Sequence, residues 1–281
     1  TGLVAPALYR ALGCEVVELY TEVDGHFPNH HPDPLVPENL SALVERVKSE
    51  KADIGFAFDG DGDRLGVVTN EGTIIWPDRQ LMLFAKYLLA KHPGAMILFD
   101  VKCSRLLPVL IEQCGGKSLM WRTGHSIIKN KMIETGALLA GEMSGHIFFK
   151  DDWFGFDDGL YVGMRLLQVL ADSQLSIAQL FAQLPNSFNT PELKFGMDED
   201  KKDSFLYRLL NEAHFGAEAK KITIDGLRVE WDYGWGLVRP SNTSPYITMR
   251  FEAETMEDLE KIKKIFKREL LKLDHQLNLP I

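Results

Sequence analysis

Residues 95–140 run AMILFDVKCSRLLPVLIEQCGGKSLMWRTGHSIIKNKMIETGALLA, and the order of apolar runs in this stretch decides the fold. Residues 95–99 predict a strand, 104–114 a helix, 117–121 a strand, 126–135 a helix and 137–140 a third strand. Strands and helices alternating at this spacing predict a mostly parallel sheet, in which each helix is the crossover between neighbouring strands.

Working upstream, Pro77 opens a helix that runs to about residue 92, because its fixed φ suits a first helical turn. A domain boundary is expected over residues 72–77. Before it lie a strand over 53–58, a helix over 39–50 and a Pro/His-rich loop over 27–37. The sequence opens with a helix-like pattern (Leu3, Ala7, Leu8, Leu12) ended by Gly13, followed by a β-rich run over 15–20. In an alternating α/β chain a helix packs behind a preceding strand, and none precedes this one. The sequence is therefore expected to begin inside a domain.

Downstream, helices over about 157–171 and 177–184 close the region, and Pro185-Asn186-Ser187 punctuates it. Asp157 and Asp158 are expected to cap the first of these helices, and Trp153, Phe154 and Phe156 to be core. Residues 188–281 change style. A short strand over 192–195 and a helix over 201–213 precede strands over 221–224, 227–231, 235–239 and 246–253. The final helix carries Leu259, Ile262, Phe266, Leu270, Leu273 and Leu277 at a 3–4 spacing, with Thr255 as N-cap. The basic residues of 261–272 alternate with that stripe and are expected to be a solvated face. The predicted class is α/β: two mixed α/β domains over 1–73 (incomplete) and 74–187, then an α+β domain with an antiparallel sheet over 188–281.

The 281 residues are 45% hydrophobic and 25% charged, with a formal net charge of −9. That apolar content builds a sizeable core and excludes a disordered chain. The acidic balance argues against nucleic acid or an anionic membrane as the main partner. No apolar run approaches the roughly 20 residues of a membrane span. Three widely spaced cysteines (Cys14, Cys103, Cys114) make neither a disulfide framework nor a CxxC site, so a reducing cytoplasm is expected.

Chemistry concentrates in four places. Asp59-Gly60-Asp61-Gly62-Asp63-Arg64 follows the strand over 54–58. Carboxylates at i, i+2 and i+4 can point the same way while the glycines let the backbone curl around an ion. Three oxygen donors with no His or Cys suit Mg²⁺ better than Zn²⁺, and unneutralised they would repel one another. Arg64 balances that charge or touches substrate. Gly141-Glu142-Met143-Ser144-Gly145-His146 can present an acceptor and a mixed donor/acceptor to vicinal hydroxyls, although Glu142 could equally pair with Lys or Arg and His146 could be a packed loop residue. Arg239-Pro240-Ser241-Asn242-Thr243-Ser244-Pro245 combines one Arg with small polar side chains and backbone N–H groups, either a phosphate cradle or an ordinary turn. As a loop residue, Arg239 is expected to matter little to the fold. Lys102 and Thr123-Gly124-His125 sit in loops at the carboxyl ends of strands, where open α/β sheets bind ligands. His125 there could be an acid/base or a phosphate contact.

Taken in order, the DGDGDR, VKCS, TGHS, GEMSGH and RPSNTSP segments resemble the α-D-phosphohexomutase superfamily, in particular its bacterial phosphomannomutase/phosphoglucomutase members. The resemblance spans essentially the whole chain. It implies four domains around a cleft, with a phosphoserine loop in the first, a metal loop in the second, a sugar loop in the third and a phosphate loop in the fourth. It implies that Asp59, Asp61 and Asp63 are Mg²⁺ ligands beside Arg64, and that Glu142 and Ser144 hold sugar hydroxyls. Arg239, Ser241, Asn242 and Thr243 would clamp the phosphate that is not transferred. Lys102, Gly124, His125 and His146 would line the cleft, with His125, Lys102 and Arg64 in catalytic positions. Met143 before Ser144-Gly145-His146 is similar to the mannose/glucose phosphate enzymes, whereas glucosamine-type relatives tend to carry Gln there.

Two departures stand out. Asp152 occupies a position where relatives often carry a basic residue. Nothing matches the Thr-Ala-Ser-His-Asn-Pro phosphoserine loop, so the sequence is expected to cover the end of the second domain, the third and the fourth. The activity implied is interconversion of hexose 1- and 6-phosphates through a phosphoserine and a hexose 1,6-bisphosphate, which also serves as activator. The partners implied are a phosphorylated hexose and the N-terminal phosphoserine domain, and the chain alone is expected to be inactive. Two other readings stay open: a non-catalytic phosphosugar- or Mg²⁺-binding remnant, and a dehalogenase-type aspartyl-phosphatase using Asp59 as nucleophile and Asp61 as acid.

Overall fold

Tight turns, more than crossovers, shape the N-terminal part of the molecule. A computed structural model describes residues 1–241 and 244–281. It divides into two units, Thr1–Met120 with Gly124–Pro185, and Trp121–Thr123 with Asn186–Ile281. In the first unit, helices α1 (Ala5–Ala11) and α2 (Ser41–Glu50) precede strands β1 (Ile54–Phe58), β2 (Leu65–Thr69) and β3 (Ile74–Ile75). These three form an antiparallel sheet with Phe58 opposite Leu65 and Val68 opposite Ile74. Its connections are too short for the crossover a parallel pair needs. The β-rich run over 15–20 forms no strand, because among the described residues it has no ladder partner to take its backbone groups.

The unit continues through α3 (Pro77–Lys91), β4 (Met96–Asp100), α4 (Leu106–Gln113), β5 (Lys117–Trp121), α5 (His125–Thr135), β6 (Leu139–Gly141), β7 (Ile147–Phe149), α6 (Gly159–Ala171) and α7 (Ile177–Ala182). The sheet order is β5-β4-β6-β7. β4 and β6 are parallel across the α4–α5 segment, as the alternation predicts, but β7 returns antiparallel to β6 after a five-residue turn. The sheet is mixed for that reason. Leu65 and Val67 from the first sheet share one core with Leu81, Phe84, Phe99, Phe149 and Leu166. Trp153 stacks on Tyr161 at 4.2 Å between centroids and joins its edge. Phe154 and Phe156 are exposed instead, in a glycine-containing loop that carries them outward.

The second unit is an α+β module. β8 (Phe188–Asn189), β9 (Leu193–Gly196), β10 (Lys220–Ile222), β11 (Leu227–Trp231), β12 (Gly234–Pro240) and β13 (Tyr246–Ala253) form an antiparallel sheet. Helices α8 (Glu199–Glu212) and α9 (Met256–Leu273) pack on it. Thr255 caps α9 by accepting the Asp258 N–H at 3.1 Å. Leu259, Ile262, Phe266, Leu270 and Leu273 of α9 are buried against Val229, Trp231 and Phe251, while Lys261, Lys264 and Lys267 are exposed. Among the described residues no helix is long and apolar enough to cross a membrane, and the three cysteines are unbridged.

Candidate active site

Because Phe58 pairs with Leu65, residues 59–64 must reverse the chain in one loop. Gly62 makes the reversal at φ +83°, a region that costs glycine little. Asp59 organises the loop from inside. Its Oδ1 accepts the backbone N–H of Gly62 at 3.0 Å and of Arg64 at 3.1 Å, and its Oδ2 accepts Arg64 Nε. Burial opposes its charge, yet the Arg64 guanidinium and backbone N–H hold its carboxyl below the ordinary range. A carboxylate held on both oxygens is a poor nucleophile, which speaks against the aspartyl-phosphatase reading.

Asp61 is exposed and Asp63 half-buried, and one oxygen from each of Asp59, Asp61 and Asp63 lies within 4.8 Å of the others. Burial pushes the Asp63 carboxyl up to about 6; His146 works against this, and Asp59, Asp61 and Asp157 add to it. Its Oδ1 is buried and accepts no hydrogen bond from the described residues. Three oxygen donors this close, with Asp63 still pushed up after Arg64 and His146 offset part of the charge, fit a hard divalent cation.

The loop after β6 meets this loop edge on, since Arg64 and His146 form an antiparallel bridge. The turn closes through Gly145, at φ +102°, whose N–H donates to the Glu142 carbonyl at 3.0 Å. The buried Glu142 carboxylate accepts the Gly124 N–H on Oε1 and Ser144 Oγ at 3.1 Å on Oε2. Burial and the nearby Asp100 push its pKa up, while the Gly124 N–H, His146 and Lys102 oppose the shift. Lys102 follows β4 and is itself buried, with Nζ 3.9 Å from Asp100 Oδ2. Asp100 Oδ1 in turn accepts the Met143 N–H at 3.1 Å. Glu142, Ser144, Lys102, Gly124 and the aspartate loop are thus brought together in one unit.

His125 opens α5 and stacks on His146, with ring centroids 5.3 Å apart. Asp157 joins them, its Oδ2 lying 2.9 Å from His146 Nδ1 and 3.4 Å from His125 Nδ1. Burial works against the His146 charge, but Asp157, Asp63 and Glu142 outweigh it and raise the pKa. Asp157 moves the other way, burial being outweighed by the two histidines. Only Asp158 caps α6, accepting the Tyr161 N–H at 3.1 Å. Asp157, expected as a second cap, instead belongs to the site, and so does Asp100, to which no motif in the sequence points. Two adjacent acids at a helix start, only one of which can cap, are the available clue to Asp157.

In the second unit Arg239 is not a loop residue. It lies in β12 opposite Thr248, is 4% exposed, and donates Nε to Asp225 Oδ2 at 3.0 Å. Its Nη2 is buried and makes no hydrogen bond with the described residues. Ser241 Oγ lies 2.8 Å from Ser244 Oγ, and the buried Lys202 Nζ donates to the Ser241 and Ser244 carbonyls at 3.2 and 2.6 Å. Neither Lys202, which holds Ser241 and Ser244, nor Asp225, which holds Arg239, is singled out by the sequence. Asn242 and Thr243 lie outside the described residues.

Known proteins share the sequence and the fold of this chain. Models of the phosphoglucomutase/phosphomannomutase family match residues 1–72 (alpha/beta/alpha domain II), 76–188 (alpha/beta/alpha domain III) and 192–269 (C-terminal domain). The chain is 56% identical over 279 residues to a phosphomannomutase/phosphoglucomutase of Pseudomonas aeruginosa, covering 99% of this chain and 60% of the relative. It is 54% identical over 267 residues to a phosphoglucomutase of Neisseria gonorrhoeae, covering 95% of this chain and 58% of the relative. A crystal structure of a phosphoglucomutase/phosphomannomutase family protein from Burkholderia thailandensis superposes with a TM-score of 0.93 at 52% identity, over 100% of this chain and 60% of that one. The chain thus spans about 60% of the length of the relatives it matches. With three successive domain models matched and more than half of the aligned residues shared with such relatives, the chain belongs to the phosphoglucomutase/phosphomannomutase family.

Proposed function

We propose that this chain carries the metal-holding and substrate-gripping parts of a phosphohexomutase that interconverts the 1- and 6-phosphates of mannose or glucose. The observation that carries the proposal is the single constellation in the first unit: three crowded carboxylates, the buried Glu142 with Ser144, and Lys102, Arg64, His125 and His146 around them.

Phosphoryl transfer needs charge neutralisation and alignment more than covalent chemistry from the protein. Mg²⁺, held by Asp59, Asp61 and Asp63, would neutralise the oxygens of the phosphoryl group. Arg64 adds a fixed positive charge beside those oxygens. Glu142 accepts hydrogen bonds from vicinal sugar hydroxyls, and Ser144 orients it. Lys102 offers a buried cation to the phosphosugar. His146, whose pKa Asp157, Asp63 and Glu142 raise against burial, can give a proton to a leaving oxygen, and His125 can contact phosphate. Arg239 and Ser241 of the second unit, with Asn242 and Thr243, clamp the phosphate that stays on the sugar. The phosphoserine comes from residues outside this chain, and hexose 1,6-bisphosphate is both intermediate and primer. Three unbridged cysteines suit a reducing compartment.

The test is a coupled mutase assay with mannose 1-phosphate and glucose 1-phosphate, Mg²⁺ and a hexose 1,6-bisphosphate primer. It is run on the chain alone and on the chain fused to the N-terminal part of the Pseudomonas aeruginosa relative. Turnover is expected from the fusion, not from the chain alone, and not from the fusion bearing Asp61→Asn. A silent fusion, or turnover by the chain alone, would overturn the proposal. Hydrolysis of a generic phosphate ester by the chain alone would favour the aspartyl-phosphatase.

A further inference from the structure

Two short backbone pairings bring side chains of different chemistry to one point. Arg64 bridges His146 and Phe148 bridges Asp157, each in antiparallel sense, so Asp63, His146 and Asp157 come from three adjacent chain segments. His146 Nδ1 lies 2.9 Å from Asp157 Oδ2 and 3.5 Å from Asp63 Oδ2, and one donor atom from each residue lies within 4.8 Å of the others. Donors sharing a tetrahedral cation at about 2.0–2.2 Å stand roughly 3.3 Å apart, close to the shorter separations here.

Hydrogen bonding within the group does not account for the arrangement. His146 Nδ1, Asp157 Oδ2 and Asp63 Oδ1 are all buried from solvent, and none makes a hydrogen bond of acceptable geometry with the described residues. The Asp157 side chain is nine-tenths buried, with that oxygen aimed into the cluster. Buried polar atoms are ordinarily satisfied, so His146 Nδ1 and Asp157 Oδ2, which face each other, call for a ligand that both can bind, with Asp63 Oδ2 in reach of it, while the buried Asp63 Oδ1 faces the aspartate loop.

We propose that Asp63, His146 and Asp157 form a second divalent-cation site, one for zinc-class ions that accept an imidazole nitrogen, and that it shares Asp63 with the all-oxygen triad. Two carboxylates and one imidazole match the three-ligand, one-open-position pattern of such ions, whereas Mg²⁺ prefers oxygen alone. The sharing follows from the two faces of Asp63: Oδ2 faces His146, while Oδ1 lies 3.9 Å from Arg64 Nε beside Asp59. An ion at the mixed site therefore competes for Asp63 with an ion on the triad. His125 brings a further nitrogen to within 3.4 Å of the same Asp157 oxygen. The inference does not depend on mutase activity.

Co²⁺ is the probe, titrated into the 281-residue chain and followed by its visible absorption and by calorimetry. The wild type is expected to show an intense band of low-symmetry, nitrogen-ligated Co²⁺ that Zn²⁺ abolishes. His146→Gln and Asp157→Asn are each expected to remove the band and weaken Co²⁺ at least tenfold, and Asp61→Asn to weaken it less than threefold. Asp157→Asn is isosteric and decides the matter if His146→Gln fails to fold, circular dichroism showing which variants are native. A wild type with no such band, a band that survives Asp157→Asn in folded protein, or one abolished by Asp61→Asn would overturn the proposal.

Discussion

The Gly159 N–H donates to the Gly62 carbonyl at 3.0 Å, joining the first residue of α6 to the turn of the aspartate loop. A Cβ at position 159 would stand 2.8 Å from both the Gly62 and Arg64 carbonyl oxygens, closer than real Cβ atoms come to backbone. The loop and the helix start can approach this closely only through glycine. Gly159→Ala is therefore predicted to displace the loop, costing about 1–3 kcal/mol of stability through overpacking. Its Mg²⁺ affinity should fall about tenfold, the scale of effect seen when the support of a metal ligand is lost. Urea unfolding and Mg²⁺ calorimetry on the variant check both. Unchanged Mg²⁺ affinity would mean that this contact does not set the loop.

Asp63 supplies a pH-dependent prediction. Its carboxyl is pushed from the ordinary 3.8 up to about 6, chiefly by burial. A raised folded value means that the native state holds the proton more tightly, so this group's contribution to stability falls as pH rises from about 4 through 6. Asp63→Asn should flatten that part of the profile. Without metal at pH 7 the variant should be more stable than wild type by roughly 1–2 kcal/mol, allowing for solvent screening. Saturating Mg²⁺ should reverse the order, because only the wild type gains binding energy. Thermal melts at pH 4.5 and 7, with and without Mg²⁺, decide it; parallel profiles would show that the carboxylates are not crowded.

Arg239 ties substrate recognition to the fold of the second unit. Arg239→Ala would leave Asp225 buried without its cation, a change that costs about 3–5 kcal/mol at buried pairs. Arg239→Lys keeps a charge near Asp225 but loses the planar guanidinium edge. The Lys variant is thus predicted to stay folded and yet lose most of its affinity for a phosphosugar or inorganic phosphate, while the Ala variant loses stability as well. Denaturation and calorimetry side by side distinguish the two effects, and an Ala variant as stable as wild type would contradict the buried pair.

What the sequence disclosed was local, and what it concealed depended on partners distant in the chain. DGDGDR and GEMSGH were legible because each packs its donors into six residues beside a strand, and the structure places both in turns at strand ends. The strands of the C-terminal module and the Thr255 cap were legible for the same reason, from alternation and a hydroxyl before an apolar stripe. The run over 15–20 has strand composition, but composition supplies no ladder partner. Asp157 and Asp158 are indistinguishable as caps until Phe148 is found opposite Asp157. Arg239 looked like a turn residue because Pro240 follows it, although β12 runs through both. Phe154 shows the limit of hydrophobicity as a guide, being an aromatic beside two others that nevertheless faces solvent.

The last prediction concerns Glu269, which lies on α9 away from any site residue named above. Its buried side chain accepts the His214 N–H at 3.1 Å, and Arg268 Nε and Lys272 Nζ each at 2.8 Å. Burial opposes the charge, but Lys272, the His214 N–H and Arg268 outweigh it and hold the carboxyl at about 2, against an ordinary value of 4.5. A lowered folded value gives stability that is present above the unfolded value and lost as pH falls from about 4.5 towards 2. Glu269→Gln keeps the shape and removes the charge, leaving Arg268 and Lys272 free to turn into water, since both are well exposed. The variant should lose about 1–3 kcal/mol at pH 7, the range for hydrogen bonds to a charged group. Below pH 3 its stability should converge on that of the wild type. Acid titrations of unfolding followed by Trp231 and Trp235 fluorescence test this: a deficit that persists unchanged at pH 2.5 would show that the amide disturbs packing, and that the carboxylate charge is not what holds the α9 end to residue 214.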